Sequence, residues 1–449
     1  MHHYFNGTKC AYATVSWNDP TQVREAFLAQ QIKNAQFYPA IKEMMMKHSN
    51  NFQRHVLFSI CAYLLLVFLG AVNVQAATYY VSLSGSDSNS GTSSSPFKTF
   101  AKAVKPLKPG DTLYIRAGTW TQQLDLMRDN KSGTSSAYIK IAGYPGEKVT
   151  IRYADSITSG YGPIKARGNR GYFIFENLVL DGSVSTNNTH WQIRDGNHHF
   201  ILRNLEIKNF KGNGLFIKAN NVQVINCSIH HQIQYSTSRV YGIYFNGANG
   251  VIQGNKIYSN PGGGLTLYPG PISNLVVRGN AIYDNNSMAN SNVGGILLWG
   301  SSSSIISNTQ IYNNLVYRNA TASTSGNASG IMIGPYTSGT KVWNNTSYKN
   351  KRYGVQIGHD TTTKNTVVQN NISYANGTGN YINVGSGTTY TNNLTTDPKF
   401  VSASSNNFQL QSSSPAANTG VTLSSVPNDY RNVARPKGAK HDIGGYENY

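Results

Sequence analysis

Between residues 176 and 394 apolar and polar positions alternate in short bursts, each closed by Asn or Gly. One burst recurs as RNLEIKN (203–209), INCSIHH (225–231), GNKIYSN (254–260), GNAIYDN (279–285), NNLVYRN (313–319), NNTSYKN (344–350) and NNISYAN (370–376). ENLVLDG (176–182) and NNL (392–394) are weaker copies. Aligned on Asn177, Asn204, Asn226, Asn255, Asn280, Asn314, Asn345, Asn371 and Asn393, the units repeat every 22 to 34 residues. A second burst, Gly followed by alternating apolar residues, lies between them: GLFIK (214–218), GIYFN (242–246), GLTLY (264–268), GILLW (295–299), GIMIG (330–334) and GVQIG (354–358). Units this short cannot bury an apolar face alone. Stacked along one axis at ~4.8 Å, strand on strand, they enclose a continuous core. Asn suits the turns because it tolerates left-handed backbone angles and its amide can bond the next coil. The pattern predicts an all-β fold, a single-stranded right-handed parallel β-helix of roughly ten coils.

Alternation sorts the Gly-led strand by face. Leu215, Ile243, Leu265, Ile296, Ile331 and Val355 form one inward column, and Ile217, Phe245, Leu267, Leu298, Ile333 and Ile357 the next. Phe216, Tyr244, Thr266, Leu297, Met332 and Gln356 then point outward, as do Lys218, Asn246, Tyr268, Trp299, Gly334 and Gly358.

The N-terminal stretch follows another pattern. Val56–Val72 runs without a charge after Lys47 and Arg54, and Val74-Gln75-Ala76 places small residues where a signal peptidase cuts. This predicts a signal peptide over 44–76, a β-helix domain over 77–449, and secretion without a retained membrane anchor. Residues 1–43 make no sense ahead of such a leader and read as a mis-assigned upstream start. Cys227 is the single cysteine after residue 76, so no disulfide forms within one mature chain; it reads as a buried small apolar residue.

Composition sharpens the picture. Charged residues make up 13% of the chain, Gly numbers 43 and Tyr 29. Long amphipathic helices need more Glu, Lys, Leu and Ala. The net charge of +19 calls for an anionic partner. Nucleic acid is not expected, because the bases are scattered rather than clustered.

Both ends of the β-helix domain resemble a known superfamily. TYYVSLSGSDSNSGTSSSPFKTFAKAVKPLKPGDTLYIRAGTW (78–120) resembles the N-terminal region of secreted pectate-lyase-like β-helix proteins, with FKTFAKAVKPL as a helical cap within 77–120. TTDPKF (395–400), FQLQSSSPAANTG (408–420) and RPKGAKHDIGGYE (435–447) resemble its C-terminal tail, 395–449. The resemblance implies the fold. It leaves the activity open, because lyases, hydrolases, epimerases and non-enzymes share it.

Chemistry narrows the choice. Most glycosidases flank the scissile bond with two carboxyl groups. Across the repeats only Glu176, Asp181, Asp195, Glu206, Asp284 and Asp360 are acidic, and none falls in the outward columns. No Asp-Asp pair exists to help hold calcium, and no Cys/His cluster has zinc spacing, so neither metal nor cofactor is expected. β-Elimination on a uronate needs a cation for the carboxylate, a base for the C5 proton and an acid for the leaving oxygen. The expected roles are Arg239 as neutraliser, Lys218 as base, and Tyr244 or His231 as acid. Phe216, Tyr241, Tyr268 and Trp299 are the expected sugar contacts, since sugar rings stack on aromatic faces. The leading expectation is a monomeric, calcium-independent lyase acting on an acidic polysaccharide. A glycoside hydrolase or uronate epimerase, or a secreted glycan-binding protein without catalysis, remains the alternative.

Overall fold

The computed structural model describes residues 76–448, except 128–129, 153–161, 167, 186–187, 195, 237, 289–291 and 323–327. The expectations for 1–43 and for the leader fall outside these residues, apart from Ala76. Among the described residues the strands build three long parallel sheets of twelve, ten and eight strands. Each coil visits them in that order. Gln223–Ile225 lies in the twelve-stranded sheet, Ser228–His230 in the ten-stranded and Tyr241–Phe245 in the eight-stranded, before Val251–Gln253 restarts the cycle.

Both inward columns hold. Leu215 pairs with Ile243, then Leu265, Ile296, Ile331 and Val355 in unbroken register. All six are fully buried, as are Ile217, Phe245, Leu267, Leu298, Ile333 and Ile357. Burial of a Leu, Ile or Phe side chain contributes about 1.5–3 kcal/mol. The core is therefore one apolar rod enclosed by the sheets.

The Asn alignment needs correcting. Strand register places Asn177, Asn204 and Asn226 level with Gly254, Gly279, Asn313, Asn344, Asn370 and Asn392. All nine have positive φ, so this is a left-handed corner open only to Asn and Gly here. The hydrogen-bonded ladder stands one residue later, at Asn255, Asn280, Asn314, Asn345, Asn371 and Asn393. Each amide up to Asn371 donates to the next oxygen at 2.9–3.0 Å and to a carbonyl of the preceding coil. Cys227 occupies the ladder position itself. Its backbone N–H donates to Asn255 Oδ1 at 2.8 Å, and burial pushes its thiol up to about 12. A second ladder, Asn260, Asn285, Asn319, Asn350 and Asn376, closes the ten-stranded sheet five residues on.

On the outer face of the ten-stranded sheet His230, Tyr258, Tyr283 and Tyr317 stack at 4.7–5.0 Å. The C-terminal segment folds back over the later rungs: Phe400, Phe408, Leu410 and Tyr446 pack on Tyr317 and Tyr348. A buried ion pair, Arg435 to Glu447 at 2.6 Å, fixes it. At the other end the helix expected within 97–107 is Phe100–Val104. The Thr99 side chain accepts from the Lys102 N–H at its start, and Phe100 stacks on Trp120 at 4.6 Å.

Candidate functional site

The eight-stranded sheet begins one coil earlier than its Gly-led motif. Trp191–Ile193 pairs with Leu215–Ile217, and the Lys218 N–H donates to the Ile193 carbonyl at 2.8 Å. Arg194 therefore precedes Lys218 in the same outward column, and Gln192 precedes Phe216. Sequence reading missed both because THWQIRDG lacks the leading Gly. The His before Trp191 and the Arg after Ile193, around an alternating strand, were the available signal.

Lys218 is exposed and lines a concavity of about 540 Å³ shared with His198, His199, Asn220, Asn246 and Gly270. His198 and His199 meet through their Nδ1 atoms at 2.7 Å, so one ring donates and the other accepts. Burial, then the neighbouring His198, lowers the His199 pKa. His190 stands beside Phe216 at 5.2 Å. Burial, reinforced by the Arg194 charge, takes its pKa down to about 4, so the imidazole is neutral above that pH. Its Nδ1 has no hydrogen-bond partner among the described residues.

The aromatics divide by geometry. Phe216 and Tyr244 stack on each other at 4.8 Å and 14°, and His190 lies over the other side of Phe216. Rings stacked along the helix axis spend their faces on one another and offer edges to a ligand. Tyr268 meets Tyr244 edge-to-face at 83° and is 43% exposed, so it keeps free ring surface. Tyr268 thus presents open ring surface that Phe216 does not. Burial, then Tyr268 and Tyr241, push the Tyr244 hydroxyl up to about 12, which keeps its proton in place at neutral pH. Tyr241 lies 6.4 Å from Tyr244; burial raises its pKa, against the neighbouring charge of the exposed Arg239.

Two expectations change. His231 belongs to the other face: it follows Ser228–His230 of the ten-stranded sheet, bonds His230 through Nδ1 at 2.8 Å and meets Tyr258 edge-on. The structure does not bring it to Lys218. The outward strip is also shorter than alternation implies. Thr266, Leu297 and Met332 are buried, the last two packed with Val293, and Trp299 is half-buried against His359 at 5.4 Å. The open stretch runs from Arg194 to Tyr268 and joins Lys218, Tyr244, Tyr241 and Arg239.

Among the described residues the outward columns of this sheet hold no carboxylate, and no three of His, Cys, Asp and Glu converge as metal ligands. Calcium wants six to eight oxygen ligands, so this donor set does not fit a calcium site.

The model for the right-handed β-helix region of Pel9A-like proteins matches residues 79–407. The chain belongs to the Pel9A-like right-handed β-helix family. Pectate lyase PEL9 of Emericella nidulans is 41% identical over 78 residues, 17% of this chain and 19% of that protein. The uncharacterized YwoF of Bacillus subtilis is 42% identical over 72 residues, 16% of this chain and 15% of that protein. The chain thus spans less than a fifth of the curated relatives it matches. Among solved structures, pectate lyase Pel9A superposes with a TM-score of 0.64 at 20% identity, covering 83% of this chain and 96% of that one. A rhamnogalacturonan lyase gives 0.54 at 17% identity, with 73% and 91% covered. At these identities the likeness is one of fold. Among the described residues of this Pel9A-like chain, no helix is long and apolar enough to cross a membrane.

Proposed function

We propose that the protein is a secreted lyase that cleaves a uronate-containing acidic polysaccharide by β-elimination without calcium. The observation that carries this reading is the open stretch of the eight-stranded sheet. It combines Arg194, Lys218 and Arg239 with the protonated hydroxyl of Tyr244 and exposed Tyr268, and no described carboxylate faces it. Among the described residues an anionic sugar meets cations and no carboxylate there, and no described pair of carboxyl groups stands ready for two-carboxylate hydrolysis.

Arg194, in the same column as Lys218, and Arg239, just before Tyr241, supply positive charge along the face that stabilises the negative charge growing as C5 loses its proton. Lys218 Nζ takes that proton, and the C5–H electron pair forms the C4–C5 double bond. The C4–O bond breaks, and the leaving oxygen takes its proton from Tyr244. Tyr268 stacks an adjacent sugar ring. The leader over 44–76 carries the chain out of the cell, where such polymers are met.

The test is incubation with polygalacturonate and with alginate in excess EDTA. Ultraviolet absorbance of an unsaturated uronate is the expected result. Reducing ends without that absorbance would mean hydrolysis; uronate inversion at C5 without cleavage would mean epimerisation. Polymer binding with neither product would reduce the site to recognition, and turnover that appears only with added calcium would overturn the metal-free step.

A further inference from the structure

A second cleft lies at the corner between the twelve- and ten-stranded sheets, which the eight-stranded sheet does not touch. It measures about 340 Å³, within the range of small-ligand pockets. Its floor arises from the left-handed corner column. At seven of the nine coils that corner carries an Asn side chain; at Gly254 and Gly279 it carries none. A Cβ on Gly279 would meet nothing closer than the Gly254 nitrogen at 4.0 Å. The Asn226 side chain fills the space a Gly254 side chain would take, so the trough opens at Gly279, ahead of Asn313. Pro427–Asn432 of the C-terminal segment forms the facing wall and brings Tyr430 to it.

Charge in the cleft is unbalanced. Arg431 is spent within the C-terminal segment, on Asp429, the Glu447 carbonyl and Asn448. The Asp429 carboxylate is spent too, accepting backbone N–H groups of Arg431, Val433 and Glu447. Arg278 is different. Its Nε donates to Gln253 Oε1 at 2.9 Å, and no described carboxylate pairs with it. One guanidinium without a counter-ion among the described residues, in a cleft otherwise lined by amides, two phenols, the Asp429–Arg431 pair and backbone, suits a ligand with one negative charge and several hydroxyls. A phosphate dianion would want more cations.

We infer that this cleft binds a uronic acid residue, its carboxylate forked on Arg278 and its ring lying over Gly279. The site is separate from the proposed catalytic face and independent of the reaction there. It would hold the protein on an acidic polymer while the other face works.

Galacturonate and galactose are titrated calorimetrically into the Lys218→Ala protein, in which no turnover occurs and binding at the catalytic face is a constant background to every variant. Gly279→Asn, which restores the residue used at neighbouring corners, and Arg278→Gln are added to that background. The expected result is a component of galacturonate binding, beyond that background, that Gly279→Asn abolishes at unchanged melting temperature and that Arg278→Gln weakens about tenfold or more. Galactose should bind no better than it does to the Arg278→Gln protein. Absence of galacturonate binding to the Lys218→Ala protein, equal binding with and without Gly279→Asn, or equal affinity for galactose would each overturn the assignment. Loss of the lyase reading leaves these outcomes unchanged.

Discussion

Lys218 has Arg194 one coil before it and Asn246 one coil after, on a surface that supports no core. Lys218→Ala should therefore abolish release of unsaturated product while leaving the melting temperature and polymer retention in affinity electrophoresis nearly unchanged. Tyr268→Ala should do the opposite. A lost aromatic contact of about 0.5–1.5 kcal/mol weakens retention severalfold, with turnover at saturating polymer preserved. His441 offers a pH test. It is buried, and burial followed by the Arg435 charge lowers its pKa from 6.5 to about 4. Between those values the unfolded chain holds the extra proton, so acidification from pH 6.5 to 4 removes stability, on the order of 3 kcal/mol for such a group. Urea midpoints at pH 7 and pH 4.5 should lie closer together in His441→Gln than in the parent.

Among elements, the ladder of buried asparagines ties each coil to the next. Asn314 donates to the Val277 carbonyl and to Asn345, and accepts from the N–H and amide of Asn280. Asn314→Ala strands those groups away from water. It should cost about 2–4 kcal/mol in chemical denaturation, since each unmet buried group costs ~1–3 kcal/mol. Cys227→Asn should be neutral or stabilising in the same measurement. Its side chain already reaches toward the Leu202 carbonyl at 3.6 Å, and Asn255 Oδ1 already waits at that rung. The inward columns were legible because alternation leaves no other arrangement that buries every Leu, Ile and Val. The Asn register was not: both the corner and the rung demand Asn, one for its left-handed backbone and one for its amide, so adjacent columns look alike in letters. Arg194 escaped for the reverse reason, its strand having no Gly to announce it. His231 was misplaced because adjacency in sequence says nothing about which of three sheets a residue joins.

For the molecule as a whole, the C-terminal segment is clamped by Arg435, whose guanidinium donates to Glu447 Oε2 and to the carbonyls of Asp442 and Gly444. Both side chains of the pair are fully buried. Glu447→Gln leaves a buried guanidinium without its counter-ion and should lower stability by about 3–5 kcal/mol, read as an earlier urea transition. Early proteolysis confined to 395–449 would accompany it, while far-ultraviolet circular dichroism should stay dominated by strand. The three corners of the prism differ in freedom. From Glu176 to Gln369, two residues separate every strand of the twelve-stranded sheet from its successor in the ten-stranded one. From there to the eight-stranded sheet the connection varies from 4 to 13 residues, and from that sheet back again from 4 to 11. The rungs at the tight corner forbid any change of length, because one added residue would take an amide out of line and turn the following strand inside out. Insertions are thus channelled to the two margins of the eight-stranded face. A lineage can raise, lower or roof the walls of that groove by loop length alone, without touching the rod that holds it.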